Sequence, residues 1–211
     1  MASRRSPNPP IRLFQSKSLE KLTVFPVSAF VAVWAVILSM IFWAGWGTAS
    51  PVRALILALA GWGIWFLIEY AMHRFLFHMA PNTEAGRKFV FVMHGNHHAD
   101  PQDPMRNLMP PIVSLPIAAL LWAASLAALG SQGTWLFGGI MVGYVVYDLI
   151  HYGCHQWKPR GRLGRVLLRH HMRHHHAHED GNFAITGIFL DSWLGTTIKD
   201  IRPGRKNREP A

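Results

Sequence analysis

Residues 107–156, NLMPPIVSLPIAALLWAASLAALGSQGTWLFGGIMVGYVVYDLIHYGCHQ, decide the fold class of this chain. The first 41 residues of this stretch carry no charge, which is long enough for two passages through a hydrocarbon core. The break at Gly130-Ser-Gln-Gly133 divides them into predicted helices at roughly Ile112–Leu129 and Trp135–Tyr147. Because the second helix is short for a full crossing, we expect it to continue through His151.

Two further uncharged runs lie upstream, from Val24 to Ala44 and from Ala54 to Ile68, with a turn of sequence GWGTASP between them. Each run, with its flanks, is long enough to cross a membrane. Half of the 211 residues are hydrophobic, which is typical of a membrane protein rather than a small soluble domain. The sequence therefore predicts an all-α integral membrane protein with four transmembrane helices.

Four crossings place the N-terminus, residues 69–106 and residues 148–211 on one side of the membrane. Arg53 is the only charged residue outside these three segments, so the positive-inside rule predicts that they are cytoplasmic. All 13 histidines lie in them, which predicts a histidine-rich helical cap on the cytoplasmic face. Two long hairpins that dip into one leaflet are an alternative, and they leave the histidines on the same side. This distribution explains the net charge of +10 without a nucleic-acid partner.

Three segments are predicted along the chain. Residues 1–22 form a basic cytoplasmic N-terminal segment, residues 23–200 a single membrane domain, and residues 201–211 a basic tail that lies near anionic lipid headgroups. No removable signal peptide is expected. Cys154 is the only cysteine, so an intramolecular disulfide is excluded and a buried thiol is expected.

Ten of the histidines form four spaced groups. They are His73 and His78, His94-Gly-Asn-His97-His98, His151 and His155, and His171-Met-Arg-His174-His175. Because residues at i, i+3 and i+4 share a helix face, each triplet is predicted to converge on one point. His73 and His78 are about 140° apart around a helix, so one of them is expected at a helix end or a bend.

Ten imidazoles are too many for one metal ion but suit two, and imidazole favours iron, zinc, copper or nickel. Glu69 precedes His73 by four residues and Asp148 precedes His151 by three, so each carboxylate is expected to accept the second ring N–H of its histidine. The three histidines outside the spacing pattern are expected to be solvated, or at most bonded to a ligand residue. They are His170, His176 and His178.

These motifs resemble those of the fatty acid hydroxylase superfamily, membrane metalloenzymes related to sterol desaturases, and most of all its sphingolipid fatty acid 2-hydroxylase branch. The resemblance extends from about Ile11 to Thr197. It rests on IRLF, EYAMHRFLFH, HGNHHADPQDPMRNLMPP, YDLIHYGCH, HMRHHHAHEDGNFAIT and LDSWLGT. The histidine triplet followed by Pro-x-Asp and Arg-x-x-x-Pro-Pro is the most specific of these features.

The resemblance implies a centre of two metal ions that activates O₂ for attack on the carbon next to an acyl carbonyl. Iron is expected in the active enzyme, and zinc is able to occupy the same sites in a purified sample. Tyr147 and Asp148 match a catalytic pair beside the metals, and Asp191 matches a C-terminal aspartate. The implied metal ligands are His73, His78, His94, His97, His98, His151, His155, His171, His174 and His175.

The chain also departs from the larger members of the family. They carry an N-terminal cytochrome-type domain, for which the short segment before the first span leaves no room, so electrons are expected from a separate cytochrome or ferredoxin. This difference favours a bacterial inner membrane over the endoplasmic reticulum. The family's Gly-Val-Thr-Ser is Ala184-Ile-Thr-Gly187 here. Four phenylalanines are candidates to line a lipid cleft, with ordinary interface packing an equal alternative: Phe75, Phe77, Phe183 and Phe189.

Other functions remain open at this point. The substrate is either a fatty acid or ceramide-type lipid or another lipid, such as an aminolipid, a sterol-like molecule or a carotenoid. A zinc hydrolase is a third possibility, since histidines also hold zinc. A metal-binding or transport protein is disfavoured because the predicted spans contain no ionisable residue to form a pathway. A requirement for O₂ and a reductant distinguishes these classes.

Overall fold

The computed structural model describes residues 11–157 and 159–199, and all regular secondary structure in these ranges is helical. The all-helical prediction is therefore confirmed for the described chain, while the predictions for residues 1–10 and for the tail at 201–211 lie outside it. The helices are α1 Lys17–Lys21, α2 Val27–Gly45, α3 Pro51–Ala71, α4 Glu84–Val90, α5 Asn96–Ala99, α6 Pro111–Leu129, α7 Gly133–Gln156, α8 Gly161–His176 and α9 Phe189–Trp193.

The long helices begin and end where local sequence signals favour it. Proline at the first position starts both α3 and α6, and the Ser50 side chain caps α3 by accepting a hydrogen bond from the N–H of Arg53. Gly130 ends α6 with φ +60°, a conformation that a glycine adopts without strain. The predicted continuation of α7 through His151 is confirmed, because the helix runs to Gln156.

Among the described residues, three helical stretches are long and apolar enough to cross a membrane: Val27–Gly45, Pro51–Phe77 and Pro111–Gln156. The third is 46 residues long and folds back on itself at the Gly130 break. There the indole of Trp122 in α6 stacks on Phe137 in α7, with ring centroids 5.5 Å apart. The outward faces of α2 and α3 remain apolar, with Met40 62% and Leu55 61% exposed. Such large apolar surfaces are suited to contact with lipid.

The centre of the bundle is aromatic. Trp34 of α2, Trp65 of α3 and Tyr144 of α7 are each less than 8% exposed. The Tyr144 ring lies 4.9 Å from that of Trp34 and 5.5 Å from that of Trp65, in both cases edge to face. Edge-to-face contacts of this kind add stabilisation beyond the area that the rings bury. They join α2 and α3 to α7, the helix that carries His151 and His155 toward the site.

Helices α3 and α7 approach each other at glycines, and this contact predicts a large stability effect. A Cβ at Gly139 would lie 1.9 Å from the carbonyl oxygen of Ala58. We expect Gly139→Ala to destabilise the fold by about 1–3 kcal/mol, since the two backbones must move apart. Thermal unfolding in detergent measures this. Gly63→Ala is the matched control, because a Cβ there meets nothing within 4 Å and alanine favours a helix. Equal melting temperatures for the two variants would contradict the close approach.

Candidate metal centre

All ten histidines of the four sequence groups meet in space, in two adjacent clusters of five. Cluster 1 contains His73, His78, His94, His98 and His174, and cluster 2 contains His97, His151, His155, His171 and His175. Within each cluster one ring nitrogen per residue lies within 4.8 Å of all the others. His176 and His178 are exposed and belong to neither cluster, as the sequence predicted.

The prediction that each triplet converges on one point is wrong. In residues 94–98 the outer pair enters cluster 1, whereas His97 enters cluster 2. In residues 171–175 the outer pair enters cluster 2, whereas His174 enters cluster 1. Helical geometry explains the division. Measured from the first histidine of a triplet, the one four residues later lies about 40° around the helix axis, whereas the one three residues later lies about 60° in the opposite direction. Each triplet therefore spans both clusters and ties them together.

A π-helical turn, Met72–Phe77, continues α3 and brings two histidines five residues apart to the same side. The backbone N–H of His78 donates to the carbonyl of His73 at 3.2 Å and ends this turn. The Nε2 atoms of the two rings are then 3.2 Å apart. The expectation that one of the pair lies at a helix end is confirmed. A second π-helical turn, Phe91–Gly95, carries His94.

Backbone carbonyls fix the orientation of three rings. The Nδ1–H of His73 donates to the Phe183 carbonyl at 2.5 Å, and that of His174 donates to the Gly181 carbonyl at 2.8 Å. In cluster 2 the Nδ1–H of His151 donates to the Asn107 carbonyl at 3.1 Å. A carbonyl only accepts, so Nδ1 carries the proton in each of these rings. The Nε2 lone pair is therefore free to bind a metal.

The Nε2 atoms of cluster 1 face one another in a closed ring of five contacts, each 3.0–3.2 Å long. Two of the five rings hold their proton on Nδ1, so at most three N–H groups are available for these five contacts. At least two of the five contacts therefore bring two nitrogen lone pairs together with no hydrogen atom between them. A cation among the five nitrogens relieves all of them, and nitrogens bound at right angles at about 2.1 Å lie about 3.0 Å apart. The donor set fits a metal ion.

Burial keeps these rings neutral, which is the form that binds a metal. Removal from water lowers the pKa of His94, His97 and His171 well below its ordinary value, and the neighbouring histidines lower it further. The same cause lowers the pKa of His78 to about 4 and that of His174 to about 3.

The predicted role of the two neighbouring carboxylates is wrong, since neither accepts a ring N–H from the histidine that follows it. Glu69 accepts backbone N–H groups at 185–187, and its other oxygen accepts the indole N–H of Trp65 at 3.0 Å. Asp148 accepts the N–H of Met109 at 3.2 Å. Each carboxylate thus holds a loop, and a carbonyl two residues earlier in that loop accepts the ring N–H.

Asp191 supports the same loop on cluster 1 from the other side. It is fully buried and accepts the N–H groups of Phe183 and Ala184, both at 2.9 Å. His170 also bonds to Asp191, at 2.9 Å. His170 is thus bound to a neighbour of the site rather than to either cluster.

A mostly apolar cavity of about 270 Å³ reaches both clusters. Its lining includes His94 of cluster 1 and two histidines of cluster 2, together with Tyr147, Asp148 and Phe77. The other three phenylalanines considered from the sequence do not line it. Phe183 packs against the rings of cluster 1, and Phe75 and Phe189 are 63% and 39% exposed. Six further lining residues had no predicted role in the site: Leu13, Phe14, Leu19, Leu22, Thr23 and Arg106.

The fold and the site define a class of protein: a helical protein with membrane-length apolar helices and paired five-histidine clusters beside an apolar cavity. The chain belongs to the fatty acid hydroxylase family, whose model matches residues 56–196. It is therefore a lipid hydroxylase, and Cys154 is the buried free thiol that the sequence predicted.

Relatives support this assignment over most of the chain. The dihydroceramide fatty acyl 2-hydroxylase FAH2 of Arabidopsis thaliana is 32% identical over 88% of this chain and 79% of its own length. The human fatty acid 2-hydroxylase is 32% identical over 86% of this chain, which spans about half, 55%, of that protein. A solved structure of full-length scs7p, with only the hydroxylase domain visible, matches with a TM-score of 0.80 and 30% identity. That match covers 85% of this chain and 69% of the other.

These comparisons confirm the resemblance to sphingolipid fatty acid 2-hydroxylases that the motifs indicated. The relatives named above by organism come from a plant and an animal, so they give no support to the expected bacterial inner membrane.

Proposed function

We propose that this chain hydroxylates the acyl chain of a membrane lipid at the carbon next to the carbonyl, in a fatty acid or a ceramide-type lipid. The balanced reaction converts R–H, O₂, two electrons and two protons into R–OH and water. The named activities of the relatives support this proposal. The observation that carries it is the apolar cavity that reaches histidines of both clusters, because an acyl chain in that cavity would lie directly beside the centre.

The ten histidines of the two clusters would hold two metal ions, and we propose iron for the active enzyme. Breaking an unactivated C–H bond requires redox chemistry with O₂, which two such ions supply when bound. The protein's own contribution is positioning. The carbonyls of Asn107, Phe183 and Gly181 orient the rings, and the cavity excludes water from the acyl chain.

Tyr147 and Asp148 are proposed to contact the substrate. Both are less than 7% exposed, and both line the cavity. The Tyr147 ring stacks on that of His151 with centroids 6.1 Å apart, so it borders cluster 2. Asp148 also holds the N–H of Met109. These residues would fix the part of the acyl chain nearest the metals.

Four membrane crossings are proposed, by α2, α3, α6 and α7. These helices contain 19, 21, 19 and 24 residues, and 19 residues span about 28 Å at 1.5 Å per residue. The distribution of basic residues favours a cytoplasmic site. Electrons would come from a separate cytochrome or ferredoxin-type partner.

Isotope labelling of lipids from cells that express the protein tests this function. Growth under ¹⁸O₂ is expected to give a lipid heavier by one ¹⁸O atom, and fragmentation is expected to place the label on carbon 2. Cells without the protein are the control. Oxygen derived from H₂¹⁸O instead of O₂ would contradict the hydroxylase and favour a zinc hydrolase. Label on another carbon would overturn the proposed position.

A further inference from the structure

Residues 13–23, which precede the first membrane-length helix, form one wall of the cavity. The segment contributes four apolar side chains to the lining: Leu13, Phe14, Leu19 and Leu22. Just after this segment, the N–H of Phe25 donates to the carbonyl of Met105, beyond α5, at 2.8 Å. The N-terminal segment therefore contributes to the cavity that reaches the histidines and does not merely connect to α2.

A polar clasp built around Glu20 holds this wall in place. One carboxylate oxygen of Glu20 accepts the N–H groups of Leu13 and Phe14, at 3.0 and 2.8 Å. The other accepts from the guanidinium of Arg106 at 2.5 Å. Arg106 also donates to Asp103 at 2.8 Å, and its side chain is only 8% exposed. Such a shielded ion pair is weakened less by salt than a surface pair.

The cavity has an exposed mouth and a buried floor. At the mouth, Leu19, Leu22 and Ile112 are 47%, 47% and 53% exposed although they line the cavity. At the floor, Leu108 and Tyr147 are only 2% and 6% exposed. The path between them therefore leads from an apolar outer surface to the histidines.

The mouth lies where the protein is suited to meet a membrane surface. Ile112 is in the first turn of α6, a membrane-length helix, and apolar side chains are exposed on both sides of the opening. Three basic residues close in sequence to the lining residues of the N-terminal segment are exposed: Arg12, Lys17 and Lys21. Basic side chains beside an exposed apolar surface favour contact with anionic headgroups above an acyl-chain region.

We propose that the acyl chain of the lipid enters sideways from the bilayer through the mouth formed by Leu19, Leu22 and Ile112. The Glu20–Arg106 ion pair keeps the N-terminal wall closed along the bound chain, so Glu20 is a positioning residue. This inference rests on the proposed function, because it takes the cavity to be the site of the acyl chain.

Photo-crosslinking tests the entry route without relying on turnover. The purified chain in lipid vesicles is mixed with a ceramide that carries a diazirine in its acyl chain, irradiated, and mapped by mass spectrometry of its peptides. Label is expected on the floor residues Leu108 and Tyr147, which bilayer lipid does not otherwise reach. Leu19→Trp narrows the mouth and is expected to reduce this interior label at least fivefold, whereas Leu19→Ala widens it and is expected to increase the label.

Leu163→Trp is the matched control. Leu163 is 70% exposed on α8 and does not line this cavity, so its replacement is expected to leave the interior label unchanged. Interior label that is insensitive to both Leu19 variants would overturn the proposed mouth, as would label confined to the outer faces of α2 and α3. Interior label in a protein that forms no oxygenated lipid would overturn the proposed function and leave the entry route standing.

Steady-state kinetics test the role of Glu20, in the purified, metal-loaded enzyme supplied with O₂ and a chemical reductant in place of its electron donor. Glu20→Gln weakens the ion pair with Arg106 and is expected to raise the KM for ceramide about fivefold. The kcat is expected to stay within twofold of the wild type, and the metal content is expected to be unchanged. A parallel fall of kcat and metal content with constant KM would overturn the positioning role.

Discussion

Replacing His97 with alanine is expected to lower the yield of hydroxylated lipid by at least about 100-fold and to remove metal from cluster 2. The Nε2 atom of His97 lies 2.9 Å from that of His151 and 3.1 Å from that of His175, so it is a central member of the cluster. His97 also belongs to the triplet that spans both clusters. Its loss leaves four of the five candidate ligand nitrogens of cluster 2, at a buried position that is only 4% exposed. Product is measured by lipid mass spectrometry and metal by elemental analysis of the purified protein.

His178→Ala is the matched control for this experiment. His178 is exposed and lies outside both clusters, so its replacement is expected to leave metal content and product unchanged. A His97→Ala protein that retains two metals per chain and normal product would contradict the assignment of His97 as a ligand. Equal losses of metal and product in the His97→Ala and His178→Ala proteins would indicate a general sensitivity to substitution rather than a ligand role of His97.

Replacing Glu69 with alanine is expected to weaken metal binding at cluster 1 by about 10–100-fold, although Glu69 belongs to neither cluster and does not line the cavity that reaches them. Glu69 is 2% exposed and holds the backbone N–H groups at 185–187, which an alanine leaves unpaired in the interior. The loosened loop includes Phe183, whose carbonyl orients His73. Because Asp148 holds the other loop, cluster 2 is expected to keep its metal.

Metal titration of the purified protein measures this effect, with one weakened site and one normal site as the expected result. Glu69→Gln keeps one acceptor oxygen, so its metal affinity at cluster 1 is expected to lie between that of Glu69→Ala and that of the wild type. Glu84→Ala serves as the control, since Glu84 is exposed in the first turn of α4. Loss of both metals together, or of neither, would argue against separate support of the two clusters.

The sequence alone was sufficient to predict that the described chain is helical and to single out the ten histidines that come together in it. Uncharged runs of membrane length predict helices without any knowledge of their packing, because a backbone in lipid must satisfy its own hydrogen bonds. The first three long helices were placed within three residues of their observed bounds, whereas α7 continues to Gln156, beyond the predicted extension through His151. The spacing of the ten histidines is likewise a local property, and it separated them from His176 and His178.

Only the tertiary structure decided how those histidines are divided and held. Helical periodicity turns the outer pair of each triplet away from its remaining member, but which cluster each member joins depends on the segments packed against the helix. The same is true of the bonds from Glu69 to the backbone at 185–187, which lies more than 115 residues away in sequence. The N-terminal wall of the cavity depends on the Glu20–Arg106 pair, which joins residues 86 positions apart. Contacts between distant segments arise from packing of the whole chain, so no local pattern in the sequence predicts them.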